Sequence, residues 1–214
     1  MDLMTEAQEE LRQERAKHYF KKYGPYVAII IALLLVVVGG KQAWHAYNHH
    51  QDVKNTTALL NASDSLENLL VLSQDIHAPQ GVMAGLIAFT RMDETQQKTD
   101  GLQLLNDLYT NKKNPSLWRD YAGLLYVRHT LATQGHDADT EALLSVLDNI
   151  TKDADSAFYS AAVIEHASIT GILNNDTKNA LNMLQSIENK ELPVHLTNKR
   201  DDLILYFNSL DKAS

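Results

Sequence analysis

Trp118-Arg119-Asp120-Tyr121-Ala122-Gly123-Leu124-Leu125 is the stretch on which the fold reading turns. Large residues at 118, 121 and 125, with a small one at 122, fall along one side of a helix. The small residue lets a second helix come close to the first. The chain around this stretch carries the same arrangement twice more. Long segments at 81–97, 116–133 and 154–173 hold small residues mid-face, at Ala84-Gly85, Ala122-Gly123 and Ala161-Ala162. Shorter segments at 100–110, 139–151 and 177–189 follow them and begin Thr99-Asp100-Gly101-Leu102, Thr140-Glu141-Ala142-Leu143 and Thr177-Lys178-Asn179-Ala180-Leu181.

Counted from Gly101, Ala142 and Ala180, each shorter segment has leucine at the next position and an aliphatic residue at the fourth: Leu105, Val146 and Leu184. The seventh is apolar in two copies (Leu108 and Ile187) and is Asn149 in the middle one. The threonines suit N-caps. These patterns assign Gly85, Gly101, Leu105, Trp118, Tyr121, Ala122, Ala142, Val146, Ala162, Ala180 and Leu184 to packing between paired helices. A glutamate at Ala142 is then expected to put a charge into a close contact, at a cost of several kcal/mol.

The punctuation agrees. Asn114-Pro115-Ser116, Gln134-Gly135-His136-Asp137, Gly171 to Asp176 and Leu192-Pro193 separate the segments, and a last helix is expected over 194–210. Upstream, Leu59, Leu60, Leu66, Leu69, Leu70 and Leu72 give residues 45–80 an apolar face, in one helix or two, before a break at His77-Ala78-Pro79-Gln80-Gly81. No alternating apolar and polar run suggests a sheet. The expectation is an all-α chain.

A different signal precedes the repeats. Tyr23 to Gly40 is 18 residues without a formal charge, almost purely Val, Ile, Leu and Ala from Val27 to Val38. As a helix it covers about 27 Å, close to the hydrocarbon thickness of a bilayer. A transmembrane helix over 23–44 is expected, with Tyr23, Tyr26, Val27, Ile31, Leu35, Gly40 and Trp44 marking its interfaces and apolar body. A buried core helix would show polar residues on one face, and a cleaved leader would have a shorter start and a small-x-small site. Residues 1–22 bring Arg12, Arg15, Lys17, Lys21 and Lys22 to one side, against Lys41 and Lys54 in the first twenty residues after Gly40. This imbalance puts the N-terminus in the cytoplasm and the C-terminal part outside. The expected organisation is a cytoplasmic helix over 1–22, the span over 23–44, a helical connector over 45–80 and the repeat domain over 81–214.

The formal charge of the 214 residues is −8, and residues 1–22 balance five acids against five bases, so the excess lies beyond them. That argues against nucleic acid as a partner. No cysteine is present, which removes thiol catalysis and cysteine-based zinc sites. Gly-rich phosphate loops, nucleophile elbows, zinc-protease motifs and calcium loops are absent from the sequence. His45 and His49 have helical metal-pair spacing, with His50 beside them, but a structural zinc takes four ligands. Four Asn-x-Ser/Thr matches are near what chance gives in an Asn-rich chain. A non-enzyme without cofactor, metal or small-molecule substrate is expected.

The period of about 38–41 residues exceeds that of an ideal tetratricopeptide repeat, while Trp118-x-x-Tyr121-Ala122-x-x-Leu125 looks like the signature of its first helix. With one N-in anchor, a basic juxtamembrane helix, the run into Lys41-Gln42-Ala43-Trp44 and three degenerate helix pairs, the chain resembles the ancillary subunit family of the bacterial SecYEG translocon. That family is related to the tetratricopeptide domain of a cell-division coordinator. The resemblance implies a single-pass inner-membrane protein with a periplasmic α-solenoid. Its implied role is that of a scaffold for protein partners, namely the translocon, a membrane-tethered chaperone of the peptidyl-prolyl isomerase type, and exported clients. A cell-envelope tether or sensory domain is the alternative.

Overall fold

The computed structural model describes residues 49–76 and 78–211, and these form helices joined by turns, with no strand among them. The expected cytoplasmic helix and membrane span, including Tyr23, Tyr26, Val27, Ile31, Leu35, Gly40 and Trp44, lie outside the described residues. No helix among the described residues is long and apolar enough to cross a membrane. The chain divides into two compact units, residues 1–54 and 55–214. Residues 55–80, expected as a connector, therefore belong to the larger unit.

Helix α1 covers 49–62, and α2 covers Leu66–Asp75. They are two helices because Ser65 has extended backbone and its hydroxyl accepts from Asn68 N–H, a serine N-cap. Leu69 is fully buried there with Ala62, Ala84 and Ala88. Pro79 then opens α3, Pro79–Arg91, at a position where its missing N–H loses nothing.

The first departure from the sequence pattern comes next. α3 ends at Arg91, not at 97, because Asp93 and Gln96 form a reciprocal capping box that starts a new helix. Asp93 Oδ1 accepts from Gln96 N–H at 2.8 Å, and Gln96 Oε1 accepts from Asp93 N–H at 3.2 Å. The Gln97 amide donates to the carbonyls of Phe89 and Met92, both at 3.1 Å, satisfying the end of α3. From there α4 (Glu94–Gln96), a π turn (Gln97–Gly101) and α5 (Leu102–Thr110) run on without a break in helical backbone.

The remaining elements are α6 (Ser116–Gln134), a 3-10 turn (Gly135–Asp137), α7 (Thr140–Thr151), α8 (Tyr159–Ser168) with a π turn (Ile169–Leu173), α9 (Thr177–Ser186) and α10 (Val194–Asp211). α8 starts five residues later than expected, because residues 153–158 form turns. The threonines are not the caps. Asp139 and Asp176, one residue earlier, accept from the N–H groups of Ala142 and Asn179. A carboxylate at that position also complements the helix dipole.

Helices pack mainly on their chain neighbours, with α3 also meeting α6 and α8 meeting α10. The core is correspondingly a series of linked clusters. α3 contributes to those around Leu69 and Leu108, α6 to those around Leu108 and Leu147, and α8 to those around Leu147 and Leu184. Each long helix is thus shared between two successive cores.

α7 departs from its sister helices. α5 and the last residue of the π turn before it bury Gly101, Leu102, Leu105 and Leu108, whereas α7 buries Leu143, Val146, Leu147 and Ile150 and exposes Ala142. At about 100° per residue, its buried face is turned by roughly 60–80° relative to the other two. Asn149 at the seventh position is the reason: a polar side chain there moves the apolar stripe round to Leu147 and Ile150. The packing expectation for Ala142 is therefore corrected. Ala142 is the third residue of α7, where glutamate favours the dipole, so Ala142→Glu is expected to change stability by no more than about 0.5 kcal/mol. Urea unfolding of wild type and variant checks this.

Candidate partner-binding groove

Glu165 follows an apolar run on α8, Ala161-Ala162-Val163-Ile164, and its side chain is only 5 % exposed. Two cations reach it from the helices on either side. Arg128 Nε on α6 donates to Oε1 at 2.6 Å, and Lys199 Nζ on α10 donates to both carboxylate oxygens at 2.9 Å. Three alternate helices are thereby tied to one buried carboxylate. Its acceptors are well occupied, which is what an ion needs when water is excluded. The cations keep 46 % and 42 % of their side chains exposed, so the positive ends face solvent.

Two depressions flank this triad. One, of about 650 Å³, is formed by Ile172 together with His195, Asn198, Lys199, Asp202, Leu203 and Tyr206 along one strip of α10. The other, of about 230 Å³, lies between Leu131, Gly135 and His136 at the end of α6 and Ser168, Ile169, Ile172 and Leu173 after α8. Ile172 borders both and is 43 % exposed. The result is a mostly apolar trough with scattered charged and hydrogen-bonding groups on its rim. Gly135 allows the sharp exit from α6, with φ of 57° and ψ of −123°, a region that side chains disfavour.

Most of the residues assigned from sequence lie away from this trough. Leu105, Ala122, Ala162, Ala180 and Leu184 are fully buried, and Val146 is nearly so. A Cβ on Gly85 would come within 2.8 Å of Leu108 and 3.2 Å of Ser73, and one on Gly101 within 2.9 Å of Phe89, so both sit at close helix contacts. Trp118 is half-buried against Val82, Leu108 and Ala122. Tyr121 is not a core residue: it is 37 % exposed and stacks on Phe158, ring centroids 5.4 Å apart. His49 and His50 are exposed, and His45 lies outside the described residues. No cluster of His, Asp and Glu among the described residues could hold a metal ion.

Pattern reading missed Glu165, Arg128, Lys199 and Ile172. A signal for the first was present, since Glu165 falls in register with Ala161, Ala162 and Ile169 on the buried side of its helix. Comparison of the chain with protein-family models, with curated proteins and with solved structures found no match.

Proposed function

We propose that residues 55–214 are a repeat-type helical scaffold that binds polypeptide partners along the trough between α6, α8 and α10, and that residues 23–44 hold it at a membrane. The trough carries this reading. It is an open apolar strip bordered by donors and acceptors, on helices that share their cores with their neighbours in the manner of tetratricopeptide-like stacks. The sequence resemblance supplies the setting: the bacterial inner membrane, N-terminus cytoplasmic and helical domain periplasmic. The proposed partners are the SecYEG translocon, a membrane-tethered chaperone of the peptidyl-prolyl isomerase type, and polypeptides in transit. No catalytic step is assigned. Anchoring confines the domain to a thin layer and raises its effective concentration toward membrane-bound partners, so modest affinity suffices.

Photo-crosslinkers at Leu131, Ile172 and Tyr206 of the full chain in cells are expected to capture a translocon subunit, a tethered chaperone or an exported polypeptide. The same crosslinker at Ala142, on an exposed helix start, should not. An exported domain lacking residues 1–44 should give those products at least about tenfold less efficiently. Equal crosslinking by the free domain removes the anchor from the mechanism. Capture of none of these partners rejects the export role and leaves an envelope tether.

A further inference from the structure

The side chains along the trough follow a common spacing. On α6, Tyr121 and Arg128 are seven residues apart. Phe158, Glu165 and Ile172 repeat the interval from the residue before α8 to its closing π turn, and Lys199 and Tyr206 repeat it on α10. Seven residues are two helical turns, so each set falls on one side of its helix at intervals of about 10.5 Å. Contacts between the helices join these positions into rows. Tyr121 stacks on Phe158, Arg128 and Lys199 meet on Glu165, and Ile172 and Tyr206 line one depression. Along the helices the order is apolar, ionic, apolar.

The ionic row has capacity left. Arg128 holds Glu165 through Nε, and its two Nη groups make no hydrogen bond among the described residues, while nearly half of its side chain is exposed. Two cations against one carboxylate leave the row one positive charge in excess, although the chain as a whole carries −8. A carboxylate arriving from solvent meets a guanidinium with donors to spare, the geometry in which arginine binds carboxylates best. Asp202 lines the depression less than one turn beyond Lys199, on the Tyr206 side, and repels a second acid there. One acidic residue fits, and an acidic run does not. The rim also favours an extended chain over a helix. His195 and Asn198 line the same depression, and their side chains have no hydrogen-bond partner among the described residues. An extended segment brings unpaired N–H and C=O groups to such side chains, whereas a helix has already paired its own. Three residues of extended chain span about 10 Å, which matches the interval between rows.

We propose that the trough selects extended polypeptide segments in which one acidic residue has a large apolar residue three positions to either side. The acid meets Arg128 and Lys199. One apolar side chain lies against Ile172 and Tyr206, and the other against Tyr121 and Phe158. This rests on the trough being the partner surface and adds which segments it takes.

Fluorescence anisotropy of labelled, capped peptides with the full chain in detergent micelles tests it, with empty micelles as the blank. The probe has a central glutamate, a leucine three residues to either side, and glycine and serine elsewhere. It is expected to bind saturably. Glutamine in place of the glutamate should weaken it about fivefold or more, and serine in place of both leucines about tenfold or more. A helical peptide with its leucines seven residues from the glutamate reaches the same rows and should bind less tightly. Arg128→Lys keeps a charge against Glu165 but removes the spare guanidinium donors. It should weaken the glutamate peptide about threefold or more and leave the glutamine peptide unchanged, a selectivity that loosened packing does not produce. Ile172→Ser should weaken both peptides alike, and far-ultraviolet circular dichroism verifies that each variant is folded. No saturable binding, equal binding of the glutamate and glutamine peptides, tighter binding of the helical peptide, or no selective effect of folded Arg128→Lys overturns the proposal. Crosslinking at Ile172 and Tyr206 in cells reads the trough itself. Partners captured there beside any of those results reject the acidic extended segment and keep the trough, while peptide binding without captured partners supports the segment and rejects the export role.

Discussion

Phe207→Ala is expected to destabilise the helical unit by about 3–5 kcal/mol, the range for removing a large aromatic side chain from a closed core. Phe207 has no exposed surface and is the largest fully buried side chain among the described residues. It packs among Val163, Ile164, Ala167, Ala180, Leu184 and Ile187, which come from α8, α9 and the turn after α9. Its ring lies directly over Gly171, where even a Cβ would collide with it. The hole left by alanine cannot close easily, because the side chains around it are fixed on helices already packed against one another. α10 has few other fully buried anchors, and Leu205 and Tyr206 beside Phe207 are largely exposed. Gly171→Val should injure the same contact from the other side, and the double variant should lose less than the sum of the two. Urea unfolding in detergent measures all three. A Phe207→Ala effect within about 0.5 kcal/mol would mean that α10 is not held by this ring.

The double variant Arg128→Met with Lys199→Met is expected to cost about 3–5 kcal/mol, because it leaves the Glu165 carboxylate buried without a counter-charge. Glu165→Gln removes the same ion pairs and is expected to cost only about 1 kcal/mol. The difference follows from burial. The two cations are nearly half exposed and can hydrate themselves once Glu165 is neutral, while Glu165, 5 % exposed, cannot. Its other consequence is low salt sensitivity, since a buried pair is screened little. Chemical unfolding of the two variants at low and high salt decides the matter. A double variant no worse than Glu165→Gln would show that water reaches the carboxylate.

Helix content was legible because it rests on near-neighbour chemistry. Apolar residues at three- and four-residue spacing, Pro79, Pro115 and Pro193, and the small residues of α3, α6 and α8 each act within a turn or two of where they stand. The missed break at 92–93 was legible too, since Asp93 and Gln96 have capping-box spacing, but the apolar run from Val82 to Phe89 drew the helix past it. Ala142 failed for a different reason. Aligning the three short helices by their leucines assumes one rotation for all, and Asn149 breaks that assumption in the middle copy.

The trough lay beyond pattern reading altogether. Arg128, Glu165 and Lys199 are 37 and 34 residues apart along the chain, and Tyr109 meets Asn149 across 40. Periodicity constrains which side of its own helix a residue occupies, but it does not say which distant helix faces that side. The amino-acid sequence alone determined that this chain is helical, that its long helices carry small residues at their contacts, and that residues 23–40 hold an uncharged apolar run. The burial of Glu165 between two cations and the seat of Phe207 over Gly171 were decided only by tertiary structure. Each depends on how helices far apart in sequence pack against one another, and that is set by shape and charge complementarity across the interface rather than by any local spacing.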